Sequence, residues 1–143
     1  MSKVLVTYWS GTGNTEKMAE YIAEGAKAGG AEVDCKVISQ VTVDGALGYD
    51  VVAIGSPSMG AEVLEENEIE PFVTELEGKA KGRKIAIFGS YGWGDGEWMR
   101  NWNDRMLGCG ANLLDGEGLM VHETPEGEDI EKCKDFGGRL ATF

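Results

Sequence analysis

The stretch Tyr8-Trp9-Ser10-Gly11-Thr12-Gly13-Asn14-Thr15 decides the fold of this chain. It follows the apolar, β-rich run Val4 to Tyr8 and leads straight into a helical pattern from Thr15 to Ala28. In that pattern Met18, Ala19, Ile22, Ala23 and Ala26 recur at helical spacing and form one apolar stripe. The loop therefore joins a strand directly to a helix. Its two glycines let backbone N–H groups converge, and the hydroxyls of Ser10, Thr12 and Thr15 and the amide of Asn14 add donors. The helix N-terminus contributes the positive end of its dipole. Together these make a phosphate cradle without a cation. It is not a Walker loop, because the first lysine after the glycines, Lys17, lies inside the helix. It is not a dinucleotide fingerprint either, because Glu16 stands where the third glycine belongs. The simplest local reading is a capped strand-to-helix turn with Asn14 or Thr15 as N-cap.

Outward from this loop, further strand-like runs appear at Val33 to Ile38, Val51 to Ile54, Ile85 to Phe88, and Leu113 to Val121 with a break at Gly116 and Gly118. Val51-Val52-Ala53-Ile54 and Ile85-Ala86-Ile87-Phe88 are continuous rather than alternating, as strands covered on both faces require. Helical stretches run from about Glu68 to Leu76, Gly96 to Leu107 and Asp129 to Leu140, while residues 40 to 49 allow only a turn or two of helix. A regular alternation of strand and helix, with no repeat or linker, predicts an open doubly wound α/β sheet of five parallel strands. In such sheets ligands sit beyond the carboxyl ends of the strands, so the loops after strands 1, 3 and 4 are the places to search.

Gly55-Ser56-Pro57-Ser58-Met59-Gly60-Ala61-Glu62 follows the third strand and Gly89-Ser90-Tyr91-Gly92-Trp93-Gly94-Asp95-Gly96 follows the fourth. Each sets one large polarizable side chain, Met59 or Trp93, among residues that offer no regular face to bury it. An indole in that position is well used against a flat aromatic ligand. Trp98 and Trp102, four residues apart on the next helix, are expected in the core. A phosphate cradle beside a Met and a Trp fits a ligand with a phosphate at one end and a planar conjugated ring at the other, which describes FMN.

Composition narrows the alternatives. The chain has 143 residues, with 25 Asp plus Glu against 13 Lys plus Arg, one His and a formal charge of −12. That balance excludes nucleic acid as the default partner. The length suits one domain, and no apolar run approaches the roughly 20 residues of a membrane span. A strand beginning this close to Met1 leaves no room for a signal peptide, so the cytoplasm is expected. Cys35, Cys109 and Cys133 form no CxxC pair and have one His beside them in the whole chain. Reduced thiols are therefore expected, with no metal site. The 22 glycines, against only three prolines, are an excess that calls for tight turns. Gly11, Gly13, Gly55, Gly60, Gly89, Gly92, Gly94 and Gly96 fall in the three loops, at one end of the expected sheet. A phosphorylation-regulated receiver domain of like architecture needs acidic residues after strands 1 and 3, where this chain has Ser10-Gly11 and Gly55-Ser56.

With these motifs in view the whole chain, 1–143, resembles the flavodoxins. Trp9-Ser10-Gly11-Thr12-Gly13-Asn14-Thr15 matches their phosphate loop, and Gly89-Ser90-Tyr91-Gly92-Trp93-Gly94 with Ser58-Met59-Gly60 is similar to the short-chain members of strict anaerobes. The absence of a long insertion between Leu113 and Val121 agrees. The resemblance implies a flavodoxin-like three-layer fold, a five-stranded parallel sheet of order 2-1-3-4-5 with helices on both faces. It implies a low-potential one-electron carrier with non-covalently bound FMN, shuttling between semiquinone and hydroquinone as a ferredoxin substitute, and not an enzyme. The alternative is an FMN-dependent NAD(P)H:quinone oxidoreductase of related fold.

Carried over residue by residue, the implied cofactor-binding set is Ser10, Gly11, Thr12, Gly13, Asn14 and Thr15 around the phosphate. It continues with Ser56, Pro57, Ser58, Met59, Gly60, Ala61 and Glu62 in the second loop and Ser90, Tyr91, Gly92, Trp93 and Gly94 in the third. Met59 would flank the inner face of the ring and Trp93 the outer. Glu62 would accept the ring N3–H, and backbone N–H groups near Ala61, Glu62, Gly92 and Trp93 would serve its carbonyls. Gly60-Ala61 would be the peptide that reorients on reduction, and an Ala at 61 would meet a steric cost in a turn needing positive φ. His122-Glu123 departs from the amides that relatives often carry, and His122 is expected to be a surface histidine without a role.

Glu62, Glu65, Glu66, Glu68, Glu70, Glu75 and Glu77 form a run without Lys or Arg. It reads as an acidic docking surface for basic redox partners of a monomer, acting on encounter rate more than affinity. One such charge about 10 Å away in water contributes about 0.4 kcal/mol, which is roughly 20 mV for one electron. After screening, about ten charges give at most of order 100 mV, so contacts at the ring must matter at least as much.

Overall fold

The computed structural model describes residues 2–143. Its strands are β1 (Lys3–Tyr8), β2 (Glu32–Val37), β3 (Val51–Gly55), β4 (Lys84–Tyr91), β5 (Asn112–Leu113) and β6 (Leu119–His122). The helices are α1 (Asn14–Ala28), α2 (Val43–Ala46), α3 (Ile69–Glu77), α4 (Glu97–Gly108) and α5 (Glu128–Ala141). Every strand pair is parallel, in the order β2-β1-β3-β4-β5, and β6 pairs with β4 as well. The 2-1-3-4-5 order that the resemblance implies is the observed one.

The fifth strand needs correction. The start of β4 pairs with Asn112–Leu113 and its end, Phe88–Tyr91, pairs with Leu119–His122. Between them a short 3-10 turn carries Asp115 at φ 61 and Gly116 at φ 72. Two consecutive left-handed residues cannot extend a ladder, so the run from Leu113 to Val121 becomes two short strands with the break filled by this turn.

Each face of the sheet has its own core. Leu5, Val52, Ile54, Ile85 and Ile87 meet α3 and α4 through Ile69, Phe72, Val73, Leu76, Trp98, Met99, Trp102 and Met106. Trp98 and Trp102 are fully buried, as their spacing predicts. On the other face Val4, Val6, Ala53, Ala86 and Phe88 meet α1 and α5 through Met18, Ile22, Phe136 and Leu140. The two helices of that layer touch backbone to backbone. A Cβ at Gly25 would come within 2.0 Å of the Lys134 carbonyl oxygen, and one at Gly137 within 2.0 Å of the Ile22 carbonyl oxygen. Part of the glycine excess therefore serves helix packing rather than turns. At the sheet edge β2 is largely exposed, and the alternating charges of Glu32, Asp34 and Lys36 guard it against pairing with another chain.

Two helix starts differ from the local expectation. Gly13, at φ 96, occupies the N-cap of α1, so neither Asn14 nor Thr15 caps it with a side chain. The start of α3 is held by Glu65, which is 2% exposed. Its carboxylate accepts from the backbone N–H of Asn67 (2.6 Å), Glu68 (2.9 Å) and Ile69 (3.0 Å), a favourable place for negative charge.

Candidate functional site

Beyond the carboxyl ends of β1, β3 and β4 lies a cleft of about 250 Å³. Among the sequence-picked residues, Ser10, Gly11, Thr12, Asn14, Thr15, Pro57, Ser58, Met59, Ser90, Tyr91 and Gly92 line it. Trp9 and Glu123 line it too, outside the picked set. Trp9 is legible as the next residue along β1 before the cradle, whereas Glu123 is brought in by pairing of Glu123 N–H with the Tyr91 carbonyl, 2.8 Å, at the end of β6.

One end of the cleft is a firmly held cradle. Trp9 N–H donates to the Gly55 carbonyl (3.1 Å) and Gly13 N–H to Ser10 Oγ (3.0 Å). Thr124 Oγ1 donates to Asn14 Oδ1 at 2.8 Å, which turns the Asn14 amide nitrogen outward as a donor. The buried hydroxyls of Thr15 and Ser90 lie 2.9 Å apart. Only one of their two hydrogens serves that bond, so the other remains available. Among the described residues no acceptor is bonded to the N–H of Gly11 or Thr12 in the loop, nor to that of Asn14, Thr15 or Glu16 in the first turn of α1, where a helix has no preceding carbonyls to receive them. The lining contains no Lys or Arg, and Glu123 is its one charged residue.

The opposite end is walled by Met59 and Tyr91. Met59 and Val63 exchange backbone hydrogen bonds of 2.8 and 2.9 Å that close a tight hairpin. Positive φ falls in this hairpin at Gly60 (49°) and Glu62 (55°) but not at Ala61. The steric cost expected at Ala61 is therefore absent, and it is Glu62 that sits in the left-handed region.

Seven picked residues lie outside the cleft lining: Gly13, Ser56, Gly60, Ala61, Glu62, Trp93 and Gly94. Ser56 is buried behind the wall, where its Oγ accepts from Glu65 N–H (3.2 Å) and donates to the Pro57 carbonyl (3.0 Å). Glu62 turns inward, 8% exposed, and its carboxylate accepts from the N–H groups of Gly96 and Glu97, both at 3.2 Å, at the start of α4. Trp93 projects into solvent at 65% exposure.

The acidic run is also smaller than its sequence. Glu62 and Glu65 are engaged with backbone, Glu70 and Glu77 flank Arg105 of α4 (2.8 and 2.5 Å), and Glu75 faces Lys79 (3.4 Å). Burial pulls the Arg105 guanidinium down, but its hydrogen bonds to Glu70 and Glu77 outweigh this and hold its pKa above the usual value. Glu66 and Glu68 are exposed, and among the described residues no cation pairs with them.

The donor set fits FMN: neutral backbone and hydroxyl donors for a phosphate at one end, and aromatic and thioether walls for a ring at the other. No helix among the described residues is long and apolar enough to cross a membrane, and no group of three His, Cys, Asp or Glu side chains stands ready for a metal.

A family model described as flavodoxin matches residues 6–137. The flavodoxin of Clostridium beijerinckii is 46% identical over 138 residues, covering 96% of this chain and 99% of that protein. The flavodoxin of Megasphaera elsdenii is 44% identical over 138 residues, covering 96% and 98%. The solution structure of two-electron reduced Megasphaera elsdenii flavodoxin superposes with a TM-score of 0.87 at 42% identity, covering 98% of this chain and 99% of that one. These relatives give no support to the quinone oxidoreductase alternative. The chain belongs to the flavodoxin family, whose members bind FMN and carry electrons at low potential rather than transform a substrate.

Proposed function

We propose that this chain carries single electrons on an FMN whose phosphate is held by residues 10–15 and whose ring lies between the Met59 hairpin and the 90–94 loop. The observation that supports this most is the cluster of free N–H groups at Gly11, Thr12, Asn14 and Thr15, residues that line a cleft without a cation. When bound, FMN supplies the redox chemistry. Around it the chain binds and orients: Ser10, Thr12 and Asn14 add side-chain donors to the cradle, and Met59 and Tyr91 exclude water from the ring end. Trp93, exposed on the 90–94 loop, would cover the outer face of the ring.

Partner proteins dock near the cleft on a rim that combines the unpaired charges of Glu66 and Glu68 with exposed Met59 and Val63. Such a rim suits a small, transient contact with a basic surface. The charged edge strand β2 favours a monomer. Three free cysteines, with the Cys133 thiol pushed up to about 12 by burial, fit a reducing cytoplasm. Stepwise reduction of the FMN-loaded protein, followed by its visible spectrum, is expected to show two separated one-electron steps. Rapid turnover of NADH or NADPH with a quinone, without an added reductase, would overturn the carrier reading.

A further inference from the structure

His122 stands at the end of β6, register-paired with Tyr91. Its Nε2 lies 3.1 Å from the Gly92 carbonyl oxygen, and its ring meets the Tyr91 ring edge-on at a centroid distance of 5.1 Å. A carbonyl oxygen only accepts, so Nε2 carries the hydrogen whether or not Nδ1 is protonated. Tyr91 and Gly92 line the cleft, whereas His122 does not. The imidazole therefore grips the 91–94 loop from outside. The segment is further tied at Tyr91, whose carbonyl accepts from Glu123 N–H, at Asp95, whose carbonyl and carboxylate accept from Arg100, and at Gly96 and Glu97, whose N–H groups donate to the Glu62 carboxylate.

From this geometry we infer that His122 is a positioning residue for the cofactor site: by holding the Gly92 carbonyl, it fixes the orientation of the Gly92–Trp93 peptide. In that planar trans peptide the Trp93 N–H points opposite to the carbonyl, away from His122. Apart from its chain neighbours, Gly92 has no atom within 4 Å of where a Cβ would stand, so no side chain packs over that face of the residue. The imidazole thereby presents a backbone donor to a carbonyl oxygen of a flat heterocycle and sets where Trp93 begins. The inference rests on the reading that the FMN ring lies against this loop.

Two variants separate the hydrogen bond from the ring contact. His122→Gln keeps a donor near the Nε2 position and loses the ring, while His122→Phe keeps the ring against Tyr91 and loses the donor. FMN affinity is measured by quenching of flavin fluorescence on titration into apoprotein, with thermal unfolding of the apoproteins as the control for folding. His122→Gln is expected within about twofold of the parent and His122→Phe about three- to tenfold weaker, the range for losing one ordinary hydrogen bond. The midpoint of apoprotein unfolding should be the same in both variants. Equal affinity for the parent and His122→Phe, or equal weakening in both variants, would overturn the proposal. A long-range nitrogen–proton spectrum of the parent tests the bond without mutation: Nε2 should be the protonated nitrogen at neutral pH, and a majority Nδ1–H tautomer would contradict it. If the parent bound no FMN, the site reading would fall, while the tautomer measurement would still decide the His122–Gly92 bond.

Discussion

The two glycine-rich loops that meet at the cleft, 10–15 after β1 and 91–96 after β4, are similar in composition and opposite in construction. The first is tied along its length: Gly13 to Ser10, Asn14 to Thr124, and Thr15 to Ser90 in the interior. The second is tied on either side of its indole, by His122 at Gly92, by Arg100 at Asp95 and by Glu62 at Gly96 and Glu97, and lifts Trp93 into water between them. A phosphate is small, fixed in shape and strongly hydrated, so a rigid set of donors repays its desolvation best. A planar ring that must exchange electrons at the surface needs a cover that adapts. One end of the site is held by internal hydrogen bonds and the other presents an exposed indole.

If this contrast is correct, breaking a buried tie beside either loop should cost folding stability, whereas removing the exposed indole of the second should cost affinity alone. The largest effect is expected for Thr15→Val, which leaves the buried Ser90 hydroxyl without its partner. Denaturant unfolding of apoprotein should show a loss of about 1–3 kcal/mol, and adding Ser90→Ala should recover part of it. Glu62→Ala should follow. Losing a carboxylate that caps α4 should cost about 0.5–2 kcal/mol and speed hydrogen exchange at the Gly96 and Glu97 amides.

Trp93→Ala should leave apoprotein stability within about 0.5 kcal/mol, because the side chain is mostly exposed. Its FMN affinity should fall by roughly 1 kcal/mol, the value of one stacked aromatic pair, and the final reduction step should become easier, since an electron-rich indole over an anionic ring opposes added charge. A large stability loss in Trp93→Ala would erase the difference between the two loops. The smallest effect is expected for the pair Glu66→Gln and Glu68→Gln. Electron transfer to a cationic haem protein should slow by a few-fold at low ionic strength and not at high salt.

What the sequence made legible was local. The cradle could be read because Ser, Thr, Gly and Asn at a strand-to-helix junction carry their chemistry with them, and the buried strands could be read because Val51–Ile54 and Ile85–Phe88 are continuous. What stayed hidden was set by partners far away in the chain. Arg105 neutralises Glu70 and Glu77 across 35 and 28 residues, which shrinks a docking face that looked uniformly acidic. Glu62 and Glu65 read as surface charge, yet helix N-termini draw both inward. Gly25 and Gly137 look like ordinary helix residues until α1 and α5 are placed in contact. The break in the last strand is marked by Gly116 and Gly118, but the left-handed Asp115 that completes the turn has no sign in the apolar pattern.

The central claim is that a cradle of neutral donors recognises the phosphate of FMN independently of the ring. It is tested most directly by titrating the same apoprotein with FMN and with riboflavin, which share the ring and differ in the phosphate, and following flavin fluorescence. FMN should bind at least about a hundredfold more tightly, as roughly 2.7 kcal/mol of charge-assisted hydrogen bonding requires. Equal affinity for the two flavins would contradict it.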